Sequence, residues 1–232
     1  MNPPPAPSRP NPSGAELARW IDHTLLKPDA MRGDIRKLCD EARTHCFFSV
    51  CVNPVFVSEA RRLLDGHPVR VGSVVGFPLG ADSTGIKAAA AREAIEDGAQ
   101  EIDMVLQIGA LRARELTLVR EDIRSVVEVC HAERVLLKVI LETCLLSTEE
   151  KEIACDLCMQ AGADFVKTST GFSCSGATPE DVALMSRRVA ARGLGVKASG
   201  GIRTRADALT MLAAGATRLG TSQSVQIVTE ED

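Results

Sequence analysis

Short apolar runs and amphipathic stretches alternate along this chain, the pattern left by strands and helices taken in turn. Strand-like runs fall at 21–25, 47–52, 69–75, 101–105, 135–141, 164–168, 195–198 and 218–220. Most read as unbroken apolar segments, as parallel strands covered on both faces do. The helices between them have legible ends. Ser13-Gly14-Ala15-Glu16 reads as a capping box, and so does Ser147-Thr148-Glu149-Glu150, whose helix closes at Ala161-Gly162. Thr178-Pro179-Glu180-Asp181 opens another with proline at the first helical position and Arg192-Gly193 at its end. Thr204 to Asp207 opens the next, stopped by Ala214-Gly215, and the alanines at 88–91 belong to a helix ending near Gly98. Eight strands alternating with helices predict an α/β fold, a single-domain (β/α)8 TIM barrel over 13–228. An open doubly wound sheet is the alternative if one short strand is misread.

The ends differ from the rest. Residues 1–12 hold six of the eleven prolines and read as a disordered, Pro-rich tail, with a short C-terminal tail at 229–232. No apolar run approaches the length that spans a membrane. Lys+Arg 27 against Asp+Glu 31 leaves a net charge of −4, which gives no general attraction to nucleic acid or to an anionic membrane. Tyr is absent and Trp occurs once, so few rings are present for base stacking. The eight cysteines are scattered and read as reduced thiols of a cytoplasmic protein, not as a disulfide framework. Cys155-Asp156-Leu157-Cys158 has metal-like spacing, but it lies in a helical pattern with no matching second pair, so no metal is expected.

The chemistry lies in three strand-end lysines: Lys138 in 136–140, Lys167 in 164–168 and Lys197 in 195–198. Ammonium groups belong in water, so three at strand ends ask for a reason. A lysine facing another cation in a partly dry pocket loses its proton easily and becomes an amine nucleophile, which points to Schiff-base chemistry with a carbonyl. In a barrel the site lies at the carboxyl ends of the strands, and the polar residues Asp22, Thr24, Cys51 and Asp103 sort there with the lysines. Taken singly, each also fits a structural ion pair or a turn cap. A second signal is Gly200-Gly201-Ile202-Arg203 after the seventh strand and Gly220-Thr221-Ser222 after the eighth, with Gly171 after the sixth. Paired glycines let backbone N–H groups approach a phosphate, although ordinary turns would look the same.

Six segments together resemble the deoxyribose-phosphate aldolase family. They are Ile21-Asp22-His23-Thr24-Leu25, Val75-Gly76-Phe77-Pro78-Leu79-Gly80, Glu101-Ile102-Asp103-Met104-Val105, Leu137-Lys138-Val139-Ile140-Leu141-Glu142-Thr143, Phe165-Val166-Lys167-Thr168-Ser169-Thr170-Gly171 and Val196-Lys197-Ala198-Ser199-Gly200-Gly201-Ile202-Arg203. The resemblance implies a class I aldolase that needs no metal or cofactor. It would cleave 2-deoxy-D-ribose 5-phosphate reversibly to D-glyceraldehyde 3-phosphate and acetaldehyde. Carried onto this chain, Lys167 is the Schiff-base lysine and Asp103 with Lys197 the proton-handling pair, Asp103 acting through water.

The substrate would meet Asp22, Thr24, Cys51, Lys138, Thr170, Gly171, Gly200, Gly201, Arg203, Gly220 and Ser222. A homodimer or homotetramer is implied as well. Two positions depart from the family pattern: Phe172 stands where many relatives have a lysine, and Gln223 where some have a serine. A tail tyrosine used by some relatives is missing, since the chain has no Tyr. Another Schiff-base aldolase, a phosphate-binding barrel isomerase and a non-catalytic binding protein are the competing readings.

Overall fold

A computed structural model describes residues 12–230. Eight strands, β1 (Ile21–Leu25), β2 (Ser49–Val52), β3 (Arg70–Val75), β4 (Glu101–Val105), β5 (Leu136–Ile140), β6 (Phe165–Lys167), β7 (Gly195–Ser199) and β8 (Arg218–Thr221), are all parallel and hydrogen-bonded in chain order. β8 returns to β1, with Asp22 opposite Gly220, so the sheet closes and the open-sheet alternative falls. Ten helices surround the barrel among the described residues: α1 (Gly14–Ala18), α2 (Arg32–His45), α3 (Val57–Leu63), α4 (Thr84–Glu96), α5 (Ile108–Arg112), α6 (Leu116–Ala132), α7 (Thr148–Ala161), α8 (Pro179–Val189), α9 (Arg205–Ala213) and α10 (Ser224–Thr229). Of the expected tails, residues 1–11 and 231–232 lie outside the described residues, while Thr229 is the last residue of α10. Pro12 is held through its carbonyl by the Arg205 guanidinium, and Glu230 accepts from the Arg205 amide.

The helix ends form where local chemistry asks for them. Ser13, Ser147 and Thr204 close capping boxes, the Thr178 hydroxyl accepts from the Asp181 amide, and Gly162 ends α7 in the left-handed region at φ 88°. On α2, Ile35, Leu38, Cys39 and Ala42 recur at helical spacing and are all buried against the barrel.

The main hydrophobic core lies between strands and helices, not inside the barrel. Ile102, Met104, Leu137, Val139, Val166, Val196, Ala198 and Leu219 face outward into it. The alternate positions turn inward and many are polar: Asp22, Ser49, Glu101, Asp103, Lys138, Lys167, Lys197 and Arg218, every one buried. The expectation of strands apolar on both faces is therefore corrected, because the inner face carries a charge network. Two glycines make room for it. A Cβ on Gly195 would fall 2.1 Å from the Phe165 ring, and one on Gly220 would fall 2.9 Å from Cε of Lys197. A separate buried ion pair, Lys87 to Asp122 at 2.7 Å, ties α4 to α6.

Candidate active site

The interior charges are stacked along the barrel axis. At the lower level Arg218 Nη1 donates to Asp22 Oδ1 at 2.8 Å and to Glu101 Oε2 at 2.9 Å, while its guanidinium lies 3.5 Å over the Phe48 ring. Glu101 also accepts Arg70 at 3.1 Å and lies 2.7 Å from Lys138. Lys138 reaches up to Asp103 Oδ1 at 2.8 Å. Asp103 Oδ2 receives both Lys167 at 2.7 Å and Lys197 at 2.8 Å, and Lys197 also touches Asp22 Oδ2 at 2.5 Å.

Four fully buried cations (Lys138, Lys167, Lys197, Arg218) thus meet three fully buried carboxylates (Asp22, Glu101, Asp103). An unbalanced charge in a low-dielectric interior is costly, and losing one proton from a lysine restores balance within this set. The geometry selects which lysine. Burial holds the Lys167 pKa below the ordinary lysine value, against Asp103 and with the help of the Lys197 ammonium. Lys197 and Lys138 move the other way. Burial works against their charge, but Asp103 with Asp22 on one, and Asp103 with Glu101 on the other, outweigh it. For Asp103 burial opposes ionisation, yet the three ammonium groups hold its carboxyl well below the usual range.

Lys167 is also the one of these lysines that opens onto a cavity of about 510 Å³ at the carboxyl ends of the strands. Thr24, Thr170, Gly171, Gly200, Gly201, Arg203, Gly220 and Ser222 line it as well, so these sequence-derived candidates converge on one space. Asp103, Lys197, Asp22 and Lys138 do not line it. They sit beneath Lys167, with Lys138 buried between Glu101 and Asp103 and Asp22 beneath Lys197. Cys51 is buried near them, and burial pushes its thiol up to about 11.

At the far side of the cavity Gly171, Gly200 and Gly201 all have positive φ (85°, 82° and 79°). Among the described residues the amides of Gly171, Gly201 and Ser222 have no acceptor within the chain. Backbone donors turned toward an open cavity form an anion cradle. A Cβ on Gly201 would meet nothing within 4 Å, so the space beside it is free for a ligand. Phe172, half exposed, stands at the rim edge-on to Phe77 at 5.3 Å.

Sequence reasoning missed several contributors. Glu101 and Arg218 complete the charge network, and an inward period of two in Glu101-Ile102-Asp103 could have revealed the first. Lys27 lines the cavity as a second cation beside Arg203. Glu142, buried and left-handed at φ 56°, accepts from the Thr170 amide at 3.3 Å and from its hydroxyl, so it fixes the start of the Thr170–Gly171 turn.

The family described as DeoC/LacD family aldolase matches residues 17–222. The chain is 56% identical over 213 residues to the deoxyribose-phosphate aldolase of Brevibacillus brevis, covering 92% of this chain and 95% of that one. It is 55% identical over 216 residues to the Bacillus subtilis enzyme of the same name, covering 93% and 96%. Among solved structures, the tetrameric deoxyribose phosphate aldolase of Aeropyrum pernix superposes with a TM-score of 0.88 at 35% identity, over 93% of this chain and 91% of that one.

Proposed function

Since the chain belongs to the DeoC/LacD family of aldolases, we propose that its Lys167 carries the reversible cleavage of 2-deoxy-D-ribose 5-phosphate into D-glyceraldehyde 3-phosphate and acetaldehyde. The chain is a carbon–carbon lyase, and the reaction belongs to deoxyribonucleoside breakdown. One observation supports the role of Lys167 above the rest. It is the buried lysine whose charge is disfavoured, and it alone of the three opens onto the cavity.

An ordinary lysine with a pKa of about 10.4 is free amine in roughly one molecule in 2,500 at pH 7, so the lowered value multiplies the reactive fraction. The Lys167 amine attacks the C1 aldehyde of the open-chain sugar. Loss of water leaves an iminium, which draws in the electron pair of the C2–C3 bond as that bond breaks. The C3 hydroxyl becomes the aldehyde of the departing triose phosphate, and acetaldehyde remains on Lys167 as an enamine. Both Asp103 oxygens are occupied by ammonium groups, so the C3 hydroxyl proton reaches the carboxylate by relay and not by direct contact. The Asp103–Lys197 pair exchanges that proton and returns it to the enamine carbon. Hydrolysis then frees the lysine.

The phosphate is held by the amides of Gly171, Gly201 and Ser222, with Arg203 and Lys27 supplying charge. Thr24 and Thr170 border the sugar, while Asp22 and Lys138 act from below by holding Lys197 and Asp103. Assembly into a homodimer or homotetramer is the extension from the tetrameric Aeropyrum pernix relative. A cytoplasmic setting suits eight cysteines, all of them unpaired here.

Borohydride reduction in the presence of acetaldehyde, followed by peptide mass spectrometry, tests the reading. An ethyl group on Lys167 and on no other lysine is expected. An ethyl group on Lys197 with Lys167 unmodified would reverse the two roles.

A further inference from the structure

Two cysteines of this chain stand apart from the other six in both place and chemistry. Cys144, half-buried, lies in the turn after β5, and Cys174, exposed, lies in the loop after β6. The Cys144 thiol donates to the Ser173 hydroxyl at 3.4 Å, and the Cys174 thiol donates to the Cys144 carbonyl at 3.8 Å. Ser173 in turn points its hydroxyl at the Cys174 sulfur, 4.0 Å away. The side chains form one small cluster that follows directly on Phe172, which lines the cavity.

The cluster favours the thiolate of Cys144. Burial is the largest single influence and raises the Cys144 pKa, but hydrogen bonding with Cys174, Ser173 and the Ser175 backbone together outweighs it and brings the thiol below its ordinary value. The buried cysteines go the opposite way. Burial pushes Cys39, Cys130 and Cys155 up to about 12, and Cys158 well above its ordinary value. Cys46 is exposed, but its thiol bonds only to the Arg43 carbonyl. An accessible thiol of lowered pKa, with the thiol of a second cysteine on its own backbone carbonyl, is the arrangement of a redox-reactive pair.

We propose that Cys144 and Cys174 are a modification site: on meeting a small-molecule disulfide they form a reversible intramolecular disulfide that ties the loop after β6 to the turn after β5. The Cys144 thiolate attacks one sulfur of the small disulfide, the S–S bond breaks, and one small thiol leaves. The Cys174 thiolate then attacks the Cys144 sulfur and expels the second small thiol. The two cysteines are oxidised by two electrons, and their two protons end on the two small thiols.

The loop is built so that this bond matters. It is pinned at one end by Thr170 on Glu142 and at the other by the Ala177 amide on Ser199 and Gly200 carbonyls, at 3.1 and 3.0 Å. Cys174 lies in the span between the pins. The Cys174 sulfur now contacts the Cys144 carbonyl and not its sulfur, so forming a bond of roughly 2.05 Å must draw the middle of the span toward the Cys144 side chain. Phe172 and Gly171 line the cavity on that same span. A shift of this kind at a substrate-positioning loop is expected to lower kcat/KM by about tenfold.

The test uses the full reduced chain and oxidised glutathione. Non-reducing peptide mapping is expected to find the Cys144 and Cys174 peptides linked, two hydrogens lighter than their sum, with the remaining cysteines still free. Cys174→Ser should instead retain a glutathione adduct on Cys144, since the resolving thiol is gone. Separate adducts on the two cysteines of the unaltered chain, or reaction at Cys46 alone, would overturn the pair. These measurements need no substrate, so they stand apart from the aldolase reading. Turnover of the linked chain should fall and return with dithiothreitol, while the Cys144→Ser/Cys174→Ser double variant given the same treatment keeps its rate. Unchanged turnover in a fully linked sample would overturn the coupling to the cavity.

Discussion

Lys167 and Lys197 lie opposite one another on adjacent strands and share a single oxygen of Asp103, at 2.7 and 2.8 Å. Two ammonium groups on one carboxylate oxygen repel each other, and the one with fewer anionic neighbours yields its proton. Lys197 has Asp22 as well as Asp103, whereas Lys167 has Asp103 alone.

Removing the Lys197 charge should therefore make Lys167 more basic. In Lys197→Leu the rising limb of kcat/KM against pH is expected to move upward by about one unit or more, with a lower plateau because the proton-handling partner is gone. A limb that stays in place would mean that burial alone tunes Lys167.

Asp103→Asn should shift the same limb in the opposite direction, because the carboxylate opposes loss of the Lys167 proton. Turnover should nonetheless fall by about 10²–10⁴, as expected for loss of an acid–base group. The Lys138 and Lys197 ammonium groups would also face a neutral amide, so denaturant titration should show a loss of about 3–5 kcal/mol. Full stability in this variant would mean that the network tolerates an unpaired charge.

Acid should unfold the barrel through its interior. Burial opposes ionisation of Asp22, Glu101 and Asp103, but Arg218, Lys138 and Lys197 hold their pKa values below the ordinary 3.8 for Asp and 4.5 for Glu. The unfolded chain then takes up protons first as pH falls. The stability these groups contribute is complete above about pH 5 and is lost progressively below it. Thermal melts from pH 7 to pH 3 should show Tm dropping below pH 5, with a shallower drop in Asp22→Asn. Equal slopes for both proteins would place the acid sensitivity elsewhere.

The glycine cradle separates phosphate binding from carbonyl chemistry. Gly201→Val puts a side chain into the open space beside the cavity and into a left-handed backbone that valine disfavours. Its KM for the phosphorylated sugar should rise at least about tenfold, with far less change for unphosphorylated deoxyribose. Phe172→Lys adds a cation at the rim and should tighten the phosphorylated substrate by roughly 1.5–3 kcal/mol before solvent screening. Parallel changes for both sugars would show that the turn is structural and the phosphate lies elsewhere.

The barrel and the lysine triad were legible because each leaves a local mark: capped helices, short strands, and charge at a strand end. Lys167, Gly171, Gly201 and Ser222 could be placed near one another from strand order alone. Arg218 could not, since at the start of a short strand it looks like an edge residue until closure sets which face is inward, while Glu101 was legible only through its period of two with Asp103. Glu142 and Lys27 lie in loops, whose path over the cavity no periodicity reports. The strand limits were read too generously at 47–52 and 164–168. There Phe47 packs outside the sheet, and the Asp164 carboxylate caps the Leu137 amide.

The interior network also bears on how the chain winds up. Asp22 waits for Arg218 across 196 positions, Glu101 for the same guanidinium across 117, and Asp103 for Lys197 across 94. Until β8 docks, an otherwise assembled sheet holds Asp22 and Glu101 without Arg218, leaving Lys197 on the one and Arg70 with Lys138 on the other. In such an open form the two carboxylates that Arg218 joins are less fully paired, which makes drying the interior more costly. The charges thus act as a checkpoint on completion: they favour the finished cylinder over every partial one. Changes to Arg218 should register chiefly as faster opening of the finished barrel and not as slower early assembly.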